Sequence, residues 1–464
     1  MKVPRIPRLP RLPRIPRIGR ITIPERLRQG WRTRLRAQRR WWRERRRRGR
    51  GEPEVLFPAA GKGMVAVQTL TDGPPDARPA HGTGPRIAIL HASSGSGHQA
   101  AARALAAAMA ERAPGAIVRE VDTLVFASRL YRDTYAASYN AMAARAPALW
   151  GVLYRSWAGA RVNRSTAPVR LAMDRLNLRR LVRVLREEEA DAVVCTHFLP
   201  VEALSPARER GRMKAPLYCV ITDFTAHPFW AFPHVDRYFV ASTQVAEELA
   251  SQGVRRERIE VTGIPVHPRF AHTIGRREAR ALLDVDVDRP MVFLLGGGAG
   301  VGPLLDLAVR LSALPERPQV VVGCGTNVRL RARVSALPAA QNGKVRAIGF
   351  TTEVDAWLEA CDVVVGKAGG LTCSEALVKG TPLVIFKPTP GQEDKNAEYL
   401  VSAGAARLAR TVDDVAAMVG AWLSHPAERE RARQAATRIA TPHAADTIAA
   451  RVLERRAASD GHRG

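Results

Sequence analysis

A short aliphatic run that stops at a cluster of small residues, then restarts as a helix-forming stretch, constrains this chain most. It occurs twice. Arg86-Ile87-Ala88-Ile89-Leu90 is followed by Ser93-Ser94-Gly95-Ser96-Gly97-His98 and an alanine-rich stretch to Met109. Ala and Leu are the best helix formers. Met291 to Leu295 runs in the same way into Gly296-Gly297-Gly298-Ala299-Gly300-Val301-Gly302. Strand, small-residue loop and helix form the opening unit of a doubly wound α/β domain, so the pattern predicts two such domains. Each loop sets backbone N–H groups at a helix N-terminus, where an anion or polar ligand is favoured. Gly95, Gly97, Gly297 and Gly298 let a ligand come close. The first loop lacks the dinucleotide spacing Gly-x-Gly-x-x-Gly, because Ala100 stands where the third glycine would be. Its distinctive residue is His98, a titratable group at the ligand face. A helix-capping histidine is the structural alternative.

Further strands end in polar residues. Ala192 to Cys195 leads to Thr196-His197, and Leu217 to Ile221 leads to Thr222-Asp223-Phe224. Open α/β sheets bind ligands at the C-terminal ends of their strands. His98, His197, Asp223 and His227 are therefore expected in one crevice. Asp236 to Val240 is a further strand, and Gly263-Ile264-Pro265-Val266 closes this half. In the second half, strands are expected at Gln319 to Val322, Val345 to Gly349, Asp362 to Val365 and Leu383 to Phe386, with a Thr-capped helix at Thr351 to Ala360. The block Gly366-Lys367-Ala368-Gly369-Gly370-Leu371-Thr372-Cys373-Ser374-Glu375 follows the third of these strands. Gly369, Gly370 and Thr372 would open a helix and cradle a diphosphate. Glu375, expected in the first turn, suits a diol such as ribose. Gln392 and Glu393, on an expected Pro/Gly turn, suit sugar hydroxyls. Ordinary capping is the alternative for each.

The 464 residues are about three times the usual ~150 per domain, which allows two or three domains. The charge is uneven. Of 72 basic and 44 acidic residues, the first 50 positions hold 20 and two, a net +18; the rest carries +10. A hydrophobic content of 46% excludes a wholly disordered chain, a collagen or a small disulfide scaffold. Residues 3–18 repeat Pro, Arg and an aliphatic, a pattern for polyproline II, and Trp31, Trp41 and Trp42 follow among arginines. The tail reads as a membrane-surface anchor, a phosphate-neutralising nucleic-acid arm or a dispensable disordered extension, with Met64 an alternative start. Residues 51–83 read as linker. Phe126, Tyr131, Tyr135, Tyr139, Trp150, Tyr154 and Trp157, interleaved with arginines, suit a bilayer surface or helix packing. No stretch reaches the ~18 apolar residues of a transmembrane helix. None of the five cysteines forms a CxxC pair, which predicts buried thiols in a reducing compartment, without a metal site.

Taken together, SSGSGHQAAARAL, ITDFTAHPFW, DRYFVAS, TGIPV, GGGAGVG, GKAGGLTCSEAL and PTPGQEDKNAEYL resemble glycosyltransferase family 28, over roughly residues 86–410. The resemblance is strongest to its monogalactosyldiacylglycerol synthase and bacterial diacylglycerol glucosyltransferase branch. It implies a GT-B fold: two Rossmann-like α/β domains facing a cleft, an acceptor domain at 84–271 and a UDP-sugar domain at 272–430. A C-terminal helix and tail at 431–464 would cross back, and residues 1–83 would be a disordered basic extension. It implies an inverting enzyme that moves glucose or galactose from a UDP-sugar to the 3-hydroxyl of diacylglycerol, with no bound cofactor or metal. His98 corresponds to the general base, Asp223 and His227 to cleft residues, and Gly369, Gly370 and Thr372 to the diphosphate loop. Glu375 corresponds to the ribose ligand, and Gln392 and Glu393 to sugar ligands. The alternatives are a muramyl-lipid GlcNAc transferase, a GT-B sugar-nucleotide epimerase and, outside enzymes, nucleic-acid binding through the tail. Ala368 stands where bacterial members commonly have proline, and the plant Ala-Gly-Pro-Gly-Thr is missing, a pattern that leans bacterial. The implied setting is cytoplasmic, peripheral on the inner face of the cell membrane, at an anionic surface.

Overall fold

A computed structural model describes residues 67–70, 84–93, 95–132 and 171–460. The basic tail and most of the aromatic segment, including Tyr135, Tyr139, Trp150, Tyr154 and Trp157, lie outside the described residues. Thirteen described strands form two all-parallel sheets. The first has seven: β1 (Val67–Leu70), β2 (Arg86–His91), β3 (Ile117–Asp122), β4 (Ala192–Cys195), β5 (Leu217–Val220), β6 (Arg237–Val240) and β7 (Ile259–Val261), in the order β1-β3-β2-β4-β5-β6-β7. The second has six: β8 (Met291–Leu295), β9 (Gln319–Gly323), β10 (Val345–Ile348), β11 (Val363–Gly366), β12 (Leu383–Phe386) and β13 (Ala406–Ala409), in the order β10-β9-β8-β11-β12-β13.

Parallel sheets are covered by helices on both faces, so their central strands read as unbroken apolar runs. All of Ala192–Cys195, Leu217–Val220 and Leu383–Phe386 is buried. The strand orders also place a crevice in each sheet. In the first sheet the chain runs outward from β2 to β3, then returns to β4 on the other side of β2. In the second it runs from β8 out to β10, then returns to β11 on the other side of β8. At each reversal the two adjacent loops diverge and leave a crevice. In the first sheet they are the loop that leads into the helix Ser96–Arg112 and Thr196-His197 after β4; in the second they are 296–303 and 367–369.

Several expectations needed correction. β1 falls inside the expected linker; its alternating Val-Gln-Thr-Leu needs only one partner and finds it in β3. β3 was hidden by its charges. Arg119 and Glu120 are buried there, Arg119 paired with Glu188 and Glu120 with His91 and Arg103. The edge strands β7 and β13 carry Glu260 and Arg407, each tied to charges on neighbouring elements. The helix expected from Thr351 begins at Val354, and the Thr351 hydroxyl accepts the Glu353 N–H (3.0 Å) in the preceding turn.

The chain returns to the first sheet at its end. The helix Ala444–Asp460 packs on the helix Ser96–Arg112, with Ile448, Ala449 and Val452 in the same core as Leu105 and Met109. Arg112 donates to Asp446 through both Nε (2.5 Å) and an Nη (2.7 Å). All five cysteines are buried and free.

Candidate active site

His98 is the third residue of the helix Ser96–Arg112, directly after the first small-residue loop. Its Nδ1 lies 2.8 Å from the Thr196 carbonyl and 2.9 Å from the Thr222 hydroxyl, while the Thr196 hydroxyl donates to the His98 carbonyl (2.9 Å). A carbonyl only accepts, so Nδ1 carries the ring proton and Nε2 keeps the lone pair. Burial pushes the imidazole down to about 4, with the Thr196 bond opposing and His91 adding to the effect. His98 is thus neutral at pH 7, with one nitrogen ready to take a proton. The residues after β4 and β5 jointly fix the ring.

His98 also begins a continuous run of rings. His197 packs edge-on at 4.5 Å between centroids, Phe198 lies 4.3 Å beyond it, and Phe229 follows at 5.4 Å. Trp230 lies 5.8 Å from Phe198 and 6.5 Å from His98. His227 joins at the far end, 4.2 Å from Phe229. Its Nδ1 accepts the Phe229 N–H (3.3 Å), and the His197 Nδ1 accepts the Leu199 N–H (3.1 Å). These two histidines therefore cap turns, and both belong to an apolar wall beside His98. Phe198, Phe229 and Trp230 were not singled out from sequence; the Phe-x-x-His-Pro-Phe-Trp wording held the signal for the last two. Tyr131 packs against the same core and its hydroxyl donates to Asp174, so this part of the aromatic segment is helix packing.

The second half of the site meets the first directly. A Cβ on Gly370 would sit 2.0 Å from the Thr222 carbonyl oxygen, and one on Gly298 would lie 3.3 Å from the Ser96 Cβ. Gly370 is thus glycine because β5's end lies against it, not because of its own dihedrals. Gly369 caps the helix Gly370–Val378 without any side-chain hydrogen bond, which leaves the first-turn N–H groups for another acceptor. Thr372 is in that turn. Glu375 is the sixth helical residue, beyond the first turn where it was expected. Gln392 and Glu393 are not on a turn; they open the helix Gln392–Ser402, with Gly391 before them at φ 111°. Glu393 accepts the Thr389 N–H (2.5 Å). Gly297 (φ 66°) holds a tight turn, and the Gly298 carbonyl accepts from the Thr326 N–H (2.9 Å).

Electrostatics suit an anionic ligand. Burial, with the charges of Glu393, Asp223 and Glu375 adding to it, pushes the Cys373 thiol up. Burial raises each of the three carboxyls, Glu375 to about 8. Glu375 is therefore mostly neutral at pH 7, which lessens the negative charge on the helix Gly370–Val378. Among the described residues, no three His, Cys, Asp or Glu side chains gather in a way that could hold a metal ion. Asn396 was also not singled out from sequence; it bonds both halves of the site. An internal Asn in a helix gives no signal until its partners are known.

The chain matches the family description "Monogalactosyldiacylglycerol (MGDG) synthase" over residues 98–266 and "Glycosyltransferase family 28 C-terminal domain" over residues 291–447. It is 30% identical over 380 residues to a probable chloroplastic monogalactosyldiacylglycerol synthase of Glycine max, covering 77% of this chain and 69% of that protein. It is 31% identical to the processive diacylglycerol beta-glucosyltransferase of Staphylococcus carnosus, covering 52% and 61%. With a probable monogalactosyldiacylglycerol synthase 2 of Oryza sativa subsp. indica the match is 36% identical and spans about half of each chain, 50% and 51%. The crystal structure of Acinetobacter baumannii MurG has a TM-score of 0.53 at 15% identity, covering 80% of this chain and 99% of that one. That likeness gives the fold, GT-B.

Proposed function

The chain belongs to the monogalactosyldiacylglycerol synthase family of UDP-sugar glycosyltransferases, and on that premise we propose that it moves one hexose, galactose or glucose, to the 3-hydroxyl of 1,2-diacylglycerol with inversion. The observation that carries this reading is the neutral His98, its Nδ1–H spent on the Thr196 carbonyl and its Nε2 lone pair available where the loops of the two sheets meet.

In the proposed reaction, His98 Nε2 takes the proton of the diacylglycerol hydroxyl as its oxygen attacks the anomeric carbon. The bond from that carbon to the diphosphate oxygen breaks on the opposite face, and its electron pair leaves with UDP. An α-linked donor gives a β-glycoside. General-base assistance of this kind contributes ~10²–10⁴-fold. The leaving diphosphate gains charge, which the N-terminus of the helix Gly370–Val378 stabilises through Gly369, Gly370 and Thr372. Gly297 and Gly298 form the opposite rim. Glu375 takes the ribose, Gln392 and Glu393 the hexose, and Asp223 orients the attacking hydroxyl. Gly95, Gly97 and His227 line the acceptor side, where the ring wall suits an acyl chain. Residues 84–271 then serve the lipid and 272–430 the nucleotide.

No helix among the described residues is long and apolar enough to cross a membrane. The +10 carried outside the first 50 residues supports peripheral attachment to an anionic surface, on the cytoplasmic face of a bacterial cell membrane.

Purified protein with diacylglycerol liposomes, offered UDP-glucose, UDP-galactose and UDP-GlcNAc separately, tests the reading. A β-hexosyl lipid from one of the first two donors is expected. Lipid labelling only from UDP-GlcNAc, or release of free sugar without lipid, would overturn it. In His98→Ala, transfer should fall by at least about 10²-fold while UDP still binds.

A further inference from the structure

Asn396 lies on the second turn of the helix Gln392–Ser402 and is fully buried, at 0% exposure. Its Oδ1 accepts the Phe224 N–H (2.7 Å). Its Nδ2 donates to Asp223 Oδ1 (3.0 Å) and to the Ala368 carbonyl (2.9 Å). Both amide hydrogens and the carbonyl are therefore used, and they reach two different loops. One follows β5 in the first sheet; the other follows β11 in the second and leads into Gly369-Gly370. Three residues further along the same helix, Tyr399 stacks on Phe224, 4.7 Å between centroids and 15° from parallel. One helix thus holds the 222–224 loop by two side chains. Its first turn carries Gln392 and Glu393, and the loop it ties down begins the diphosphate cradle.

We propose that Asn396 is a positioning residue that couples donor binding to the setting of Asp223: a donor seated against the 366–370 loop and the first turn of this helix fixes the amide, and the amide fixes the carboxylate. The reason is geometric. Only an amide can accept from Phe224 and donate to Asp223 and Ala368 at once. A leucine or alanine leaves Asp223 without this donor, and an aspartate sets a second carboxylate against it. The inference rests on the reading of Asp223 as a group that orients the acceptor.

The test uses the full chain with diacylglycerol vesicles and whichever hexose donor the wild type accepts. In Asn396→Ala, kcat should fall about 10²-fold, the scale of a misplaced reacting group, while the UDP dissociation constant stays within about threefold. Asp223→Asn combined with Asn396→Ala should be no slower than Asp223→Asn alone, since both remove one contribution. Asn396→Asp should recover activity relative to wild type as the pH is lowered and its carboxyl gains a proton to donate. Near-wild-type kcat in Asn396→Ala, independent losses that multiply in the double variant, or a pH profile for Asn396→Asp parallel to wild type would each overturn the proposal. Hydrogen exchange at the Phe224 amide provides a readout that needs neither a variant nor turnover. UDP alone should slow it in the wild type, and no change on adding UDP counts against the coupling. Failure of the wild type to glycosylate lipid would sink the functional reading but leave this exchange measurement decisive for Asn396.

Discussion

At His98 a single hydrogen bond decides the chemistry. The Thr196 carbonyl claims the Nδ1 proton, and burial pushes the ring down to about 4. The folded value lies below the ordinary ~6.5, so the neutral form persists as pH falls through the range where a free imidazole would charge. Between pH 7 and 5, kcat/KM should change by less than about twofold; an unshifted imidazole would lose about 25-fold. A steep loss centred near pH 6.5 would show that another group is the base. Glu375 works in the other direction. Raised to about 8 by burial, it is mostly protonated at pH 7 and ionises as pH rises. Ionised Glu375 adds negative charge near an anionic ligand, so UDP affinity should fall by up to about tenfold between pH 7 and 9, and Glu375→Gln should remove that dependence in calorimetric titrations.

At the scale of elements, the helix Gly370–Val378 shows how a loop sequence is set by its neighbour. Gly370 needs no unusual dihedral, since no positive φ is recorded there. It needs to have no side chain, because the Thr222 carbonyl lies where a Cβ would be. Gly370→Ala should cost about 1–3 kcal/mol, as overpacking does, read as a shift in the denaturant midpoint, and should lower kcat more than an alanine at Gly95, whose Cβ would meet nothing within 4 Å. Equal effects at the two glycines would mean that flexibility, not close approach, is what the loops need. The sequence marked both loops as ligand-facing, but it could not distinguish a glycine that yields space from one that merely sits in a turn. It also placed Gln392 and Glu393 on a turn, because Pro390-Gly391 is a breaker. Gly391 instead takes φ 111° and starts a helix there, with the Asp394 carboxylate accepting its N–H (3.0 Å).

For the whole molecule, the last helix carries weight that its composition hid. Ala444–Asp460 is rich in Ala and Arg, yet it buries Ala445, Ile448, Ala449 and Val452 against the first helix of the opposite sheet. Burying one large aliphatic contributes about 1.5–3 kcal/mol, so truncation after residue 443 should lower the melting temperature markedly, and an unchanged melt would show that the helix is dispensable. Removing residues 1–63 should leave lipid glycosylation intact, and vesicle binding by the remainder should weaken from 0.1 to 1 M salt as the screening length falls from about 10 to 3 Å. The sequence by itself determined the two parallel sheets and the family, because aliphatic runs ending in small residues admit few folds and the motif order is specific. It missed β3, whose buried Arg119 and Glu120 look like a surface until Glu188 and His91 are found beside them. It also passed over Asn396, Phe198 and Trp230. Only the tertiary structure decided the tautomer of His98, the need for glycine at 370 and the bonds from Asn396 to Asp223 and Phe224. Each depends on an atom more than 90 residues away along the chain, and local pattern carries no information about such a contact.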